Sequence, residues 1–329
     1  MAVSVAVIGA GAWGSVVAQM FADNGHNVKL WCYKQAIADA ITHTHQHHRL
    51  PNIELNTNIQ TTTELSDCYH ADLVVLGLSS AQLCDYDTII DWQAITCPIL
   101  VLAKGVMVPE IFISKWVSQR VQVPVGVLSG PNLALEIAQC NPAASVVAFT
   151  DSTVAEQVQT WLSTSYFRCY TSTDLVGVQC GGIFKNVLAI AAGCIDGMAL
   201  GDNAKASLVT RGLVELQRIA HFYGGQAETV VGLSGLGDLM ATCVSSKSRN
   251  WQLGHAMVTQ SNREAWFLED RGETEGVRTI QLVYDTFVEQ SLDLPIIMAV
   301  GRLFKEQVAP QDMIKELMER GLKSEFPNQ

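Results

Sequence analysis

At 329 residues the chain is longer than one hydrophobic core comfortably serves, so two domains are expected. A hydrophobic fraction of 48% against 16% charged residues excludes an intrinsically disordered chain. The net charge of −11 argues against a general nucleic-acid binder, which needs a basic face, and leaves a small anion only a local pocket of positive charge.

The start, "MAVSVAVIG", runs directly into a strand pattern without the basic flank of a signal peptide. Further strands are predicted at Asn27–Trp31, Ala71–Leu78, Pro98–Lys104, Val123–Ser129 and Ala144–Phe149, after the first at Val3–Gly9. Their apolar runs are continuous rather than alternating, which indicates strands covered on both faces, as in a parallel sheet flanked by helices. Between the first strand and the first helix lies Gly9-x-Gly11-x-x-Gly14, with Ala12 and Trp13 inside it. Glycines at these spacings allow a tight turn and close backbone approach to a pyrophosphate, which the helix N-terminus stabilises. The second strand leads into Tyr33 and Lys34, without the carboxylate that would hold an NAD ribose. A tyrosine and a lysine there suit a 2′-phosphate, so NADPH is expected as cofactor, with NADH left open.

"THTHQHH" (Thr42–His48) places His43 and His47 four apart, a spacing that can chelate a metal on a helix. No matching acid stands nearby, so an exposed loop near the adenine end is expected, and no metal site. The nine cysteines include no CxxC pair and fit reduced thiols in a cytoplasm better than a disulfide framework. Lys104 closes the fourth predicted strand, at the sheet edge where ligands of doubly wound folds bind.

After about Asp174 strand patterns vanish, and helical stretches such as Asn203–Gly225 take over, ending in a glycine pair suited to a C-cap. The expected architecture is therefore α/β: a Rossmann-type, mostly parallel sheet domain over residues 1–179, then an all-helical domain over 180–329. The best apolar run, Val187–Ile195, is too short to span a bilayer, so no membrane insertion is expected.

Just before that run, Lys185 and Asn186 follow Gly181-Gly182. An ammonium among small apolar residues either snorkels to water or requires a partner. Asp238 in "GLGDL" is the candidate partner, a helix N-cap being the plainer role. Thr242 is one helical turn further on. A second ammonium, from Lys104, would depress the pKa of the first and make a usable proton donor. "SSKSRN" (Ser245–Asn250) supplies Ser248, Arg249 and Asn250, a planar cation between neutral donors, which suits a phosphate dianion.

Five segments, "GAGAWG", "LAKGV", "LSGPNLALEIA", "GGIFKNV" and "GLSGLGDLMATCVSSKSRN", stand in an order that resembles the NAD(P)-dependent glycerol-3-phosphate dehydrogenases. The resemblance extends to "ETEGVRT" (Glu273–Thr279) and implies reduction of dihydroxyacetone phosphate to sn-glycerol 3-phosphate for phospholipid synthesis. It implies that Lys185 is the acid for ketone reduction, and that Lys104 orients the substrate oxygen and meets both substrate and cofactor. Gly130, Asn132, Asn186, Asp238, Thr242, Ser248, Arg249 and Asn250 fall with the substrate contacts; Ala134, Arg249 and Glu275 fall with the cofactor contacts. A homodimer is the assembly left open. Tyr33, Arg49 and Leu133 depart from the arginine, tyrosine and phenylalanine frequent at those places, and Glu273 replaces a frequent apolar residue. Two rival readings are a dehydrogenase of β-hydroxy acids or ketopantoate, for which "SSKSRN" is overbuilt, and a non-catalytic nucleotide sensor, which has no use for the lysines.

Overall fold

The computed structural model describes residues 1–108, 110–260 and 274–325; Glu273 lies outside them. The first half runs β1 (Ser4–Ile8), α1 (Ala12–Asp23), β2 (Asn27–Trp31), α2 (Gln35–Thr44), β3 (Gln46–His47), β4 (Leu50–Glu54), β5 (Ile59–Thr62), β6 (Leu73–Leu76), α3 (Ser80–Tyr86) and β7 (Ile99–Val101). It continues with β8 (Val106–Met107), β9 (Ile111–Phe112), α4 (Ile113–Ser118), β10 (Val125–Ser129), α5 (Ala134–Ala138), β11 (Ala143–Ala148), α6 (Ser152–Leu162) and β12 (Phe167–Ser172).

Eight strands form one sheet in the order β12-β11-β10-β7-β6-β1-β2-β5, parallel at every pairing except β10 with β11. Along β1 successive side chains serve opposite faces: Val5 and Val7 pack with Val16, Val17 and Phe21 of α1, while Ala6 and Ile8 pack with Leu83 and Trp116. Both faces are therefore dry, which is why the central strands read as unbroken apolar runs. The chain leaves β1 for β2 on one side and returns to β6 on the other, so the switch point of the sheet lies at the ends of β1 and β6. Gly9 follows β1 there with φ +121°, and a Cβ on it would stand 2.8 Å from the carbonyl carbon of Gly77, which follows β6. Two sheet strands went unpredicted. β5 ("IQTT") and β12 ("FRCYTS") are the outermost strands, where exposure removes the apolar run. The fourth predicted strand is also shorter than expected, so Lys104 stands in the loop beyond β7.

The second half comprises α7 (Leu175–Gly197), α8 (Gly201–Phe222), α9 (Asp238–Val244), α10 (Arg249–Thr259), α11 (Glu275–Glu289), α12 (Pro295–Lys305) and α13 (Pro310–Met318). Among the described residues it contains no strand. α7 starts where Asp174 accepts the Gly177 N–H at 2.9 Å. α8 stops where Gly224 turns left-handed and the Gly225 N–H reaches back to the Ala220 carbonyl at 2.7 Å.

With 23 residues and high hydropathy, α7 is long and apolar enough to cross a membrane, contrary to the expectation that no segment is. Its most apolar stretch is 89% buried by the protein itself, the mark of a core helix. Val187–Ala192 line the core of the helical half. Gly193 and Gly254 let α7 and α10 touch backbone to backbone, since a Cβ on either would stand about 2 Å from a carbonyl oxygen of the other helix. Gly182, about three turns earlier, meets the sheet against the Ser129 hydroxyl of β10.

Candidate active site

Lys185 is 7% exposed, so burial alone makes its charge costly. Its partner is Asp238, whose Oδ1 accepts from Lys185 Nζ at 2.9 Å. The Thr242 hydroxyl also accepts from this Nζ, at 2.6 Å, and donates to the Asp238 carbonyl at 2.7 Å. Asp238 opens α9 after a π-helical turn over Leu233–Gly237, and a helical period brings Thr242 onto the same face. The other carboxylate oxygen of Asp238 accepts from Lys104 Nζ at 2.8 Å, and Lys104 donates again to the Gly130 carbonyl at 2.8 Å. One carboxylate thus holds two ammonium groups, one from the sheet half and one from the helical half. Burial lowers the pKa of Lys104 from its ordinary value; Asp238 opposes the shift and the charge of Lys185 adds to it.

Around this cluster, Gly130 is forced by closeness: a Cβ there would stand 2.5 Å from the Ser145 hydroxyl. Ser145 donates to Asn132 Oδ1, while Asn132 Nδ2 is buried with no partner. Asn186 is tied to Asn250, whose Nδ2 donates to Asn186 Oδ1 and whose Oδ1 accepts the Gly276 N–H, both at 3.0 Å. Asn250 therefore braces α7, α10 and α11, a use the polar run did not reveal. Ser248 caps α10 by accepting the Trp251 N–H at 3.3 Å. Arg249 beside it is exposed and makes no ion pair among the described residues. Glu275 begins α11 and accepts from the Ser80 hydroxyl at 3.2 Å, next to Gly105.

The glycine loop can be tested against a dinucleotide glycine by glycine. At Gly14 a Cβ would stand 2.1 Å from the Gly9 carbonyl oxygen, so this glycine serves the loop's own packing. At Gly11 a Cβ would meet nothing within 4 Å, so the protein leaves that side open. Gly11 also caps α1 without any side chain occupying the helix N-terminus, and the first N–H groups there are available to an anion. Ala12 and Trp13 form the first turn of α1, with Trp13 Nε1 buried and unpartnered, and Ala134 starts α5, which packs on α1. Tyr33 and Lys34 are exposed beyond β2, with Tyr33 edge-on to Tyr86 at 5.8 Å. These features fit a bound dinucleotide.

The histidine run departs from expectation. α2 ends at Thr44, so His43 and His47 share no helix. His47 is 2% exposed rather than part of an exposed loop, and its Nε2 lies 2.9 Å from the carbonyl oxygen of Ala10 in the glycine loop. Ser80 at the start of α3, Ser129 at the end of β10 and Ser145 within β11 were also missed; lone serines carry no pattern that marks them before the fold brings them together. A cavity of about 570 Å³ beside α8, α12 and α13 shares no residue with the lysine cluster.

The sheet with its glycine loop, joined to a helical half through a buried lysine–aspartate–lysine cluster, defines a two-part pyridine-nucleotide-linked dehydrogenase. Residues 4–155 match the N-terminal model, and residues 174–315 the C-terminal model, of NAD-dependent glycerol-3-phosphate dehydrogenase. The chain belongs to that family. It is 38% identical to the glycerol-3-phosphate dehydrogenase (NAD(P)+) of Corynebacterium jeikeium over 98% of this chain and 100% of that one. It is 39% identical to the Streptomyces coelicolor enzyme of the same name, over 98% of each chain. The crystal structure of glycerol-3-phosphate dehydrogenase from Coxiella burnetii superposes with a TM-score of 0.88 at 31% identity, covering 97% of this chain and 99% of that one.

Proposed function

We propose that this chain reduces dihydroxyacetone phosphate to sn-glycerol 3-phosphate in the cytoplasm, with Lys185 as the proton donor. The observation that carries the reading is the single carboxylate of Asp238 held between the buried ammonium of Lys185 and the partly buried one of Lys104. A reduced nicotinamide, when bound, supplies a hydride to the carbonyl carbon. The carbonyl oxygen then needs a proton, and Lys185 gives one up as charge develops there. Lys104 donates a hydrogen bond to the same oxygen and stabilises the charge without losing its own proton. Asp238 and Thr242 keep Lys185 fixed, and the neutral amine left behind recovers a proton from water. Arg249 and the Ser248 hydroxyl at the start of α10 supply a cation and a neutral donor for the phosphate.

The division between halves falls near Gln179, inside α7. Val178 packs with the sheet and Cys180 with the helices, which supports that placement.

The test is Lys185→Met. It should leave NADPH binding within about twofold while kcat for dihydroxyacetone phosphate falls by about 10²–10⁴-fold. Unchanged turnover removes Lys185 from the mechanism. Comparable turnover of unphosphorylated dihydroxyacetone by the unmodified protein would refute the phosphate assignment.

A further inference from the structure

Of the residues in the histidine run, His47 reaches the glycine loop with a hydrogen bond. Its backbone belongs to β3, which pairs with β4 in a short antiparallel ribbon, and its ring is turned inward while its neighbours Gln46 and His48 are exposed. Both ring nitrogens are engaged. The Arg49 N–H donates to Nδ1 at 3.2 Å, so Nδ1 carries no proton. The acceptor facing Nε2, the Ala10 carbonyl, requires that Nε2 does. This pair of partners admits only the neutral, Nε2-protonated imidazole. Burial also pushes the pKa of His47 below its ordinary value; the Ala10 carbonyl opposes that, and the charges of His48 and Arg49 reinforce it.

Ala10 lies between Gly9 and Gly11, and the flanking carbonyls are held by other means. The Gly9 carbonyl packs against Gly14, and the Gly11 carbonyl accepts the Ser15 N–H at 2.9 Å. The peptide joining Ala10 to Gly11 is planar and trans, so its carbonyl and its N–H point in opposite directions. Fixing one fixes the other. We infer that His47 is a positioning residue for the dinucleotide: through Ala10 it sets the direction of the Gly11 N–H, on the side of the loop that the protein leaves open. The inference rests on the glycine loop being the dinucleotide site.

The experiment titrates NADH and NADPH by their fluorescence against the full chain and three variants. His47→Ala removes both hydrogen bonds. His47→Gln keeps a donor at the reach of Nε2. Gly11→Ala tests the loop itself. With His47→Ala, the Kd of both cofactors should rise about tenfold, the effect of leaving one buried carbonyl unpaired. Its kcat at saturating cofactor should stay within about twofold, because the lysine cluster is untouched. His47→Gln should restore most of the affinity. A wild-type Kd in His47→Ala overturns the inference, and so does a His47→Gln variant as weak as His47→Ala, since packing alone would then explain both. If Gly11→Ala binds both cofactors normally, the loop reading fails first; if Gly11→Ala is weak and His47→Ala is not, only the role of His47 fails.

Discussion

Asp238→Asn removes one negative charge from between a buried and a partly buried ammonium group and keeps the shape of the side chain. In the protein, both contacts are short, 2.8 Å to Lys104 and 2.9 Å to Lys185, and the Asp238 side chain is only 4% exposed. Each contact corresponds to about 6 kcal/mol of Coulomb energy at an effective dielectric of about 20. That sum overstates the loss, because a stranded lysine can discard its proton. Deprotonating a lysine of ordinary pKa at pH 7.5 costs about 4 kcal/mol, and this sets the ceiling for one lysine. The other keeps its charge and gains a neutral amine as acceptor. The expected loss is therefore about 3–5 kcal/mol, in line with breaking other buried pairs. If the chain melts as one unit, its 329 residues convert this to about 4–7 °C in Tm. The sign of the pH dependence follows from linkage. Lys104 already has a folded pKa below its ordinary 10.5, so the unfolded chain binds more protons over that window and stability rises with pH. Without the carboxylate the window opens at lower pH, so the deficit of the variant is greatest near pH 7.5 and narrows toward pH 9.5. Thermal melts at those two pH values measure it. A variant within about 1 kcal/mol of the parent, with the same pH profile, would refute the claim that the charge of Asp238 supports both lysines.

Three further outcomes can be measured. Gly11→Ala should melt like the parent, whereas Gly14→Ala, whose Cβ would collide with the Gly9 carbonyl at 2.1 Å, should lose Tm as well as cofactor; equal melting of the two would contradict the division of labour in the loop. Lys34→Glu places a carboxylate where a 2′-phosphate would lie and should raise KM for NADPH more than for NADH, with equal effects ruling Lys34 out of cofactor choice. Glu215 accepts the N–H groups of Ile296 and Ile297 at 2.8 and 2.9 Å, and burial raises its pKa to about 7 from 4.5. The folded chain then binds the extra proton, so this group costs stability as pH rises from 4.5 toward 7. Glu215→Gln should abolish that slope while losing about 1–3 kcal/mol, because its amide turns a donor toward one of two N–H groups. Urea melts at pH 5 and 8 decide it, and an unchanged slope would clear Glu215.

What the sequence disclosed depended on whether a residue's surroundings leave a local trace. The six predicted strands were visible because sheet strands covered on both faces must be apolar throughout, and β5 and β12 were hidden because the sheet's edges impose no such demand. Lys104, Lys185 and Asp238 were legible as reactive types beside glycines, and the helical spacing of Thr242 was legible too. That one carboxylate serves both lysines was not, since Lys104 and Asp238 are 134 positions apart and no spacing rule reaches that far. His47 was misjudged, and the bracing by Asn250 went unseen, for a common reason. A polar side chain reads as a surface or ligand group until the fold shows that a backbone carbonyl or amide needs it.

The chain's overall charge of −11 is unfavourable for a phosphorylated substrate, so attraction has to be local. Two ammonium groups against one carboxylate leave a single net positive charge at the reacting centre, and Arg249, on the helix that Asn250 ties to Asn186 beside Lys185, adds a second. Full neutralisation by a second aspartate would remove that attraction. No carboxylate at all would drive one lysine neutral before substrate arrived. On the proposed reading, a single shared aspartate avoids both: it offsets one of the two lysine charges and leaves the excess that would draw an anion and supply a proton to the oxygen formed there.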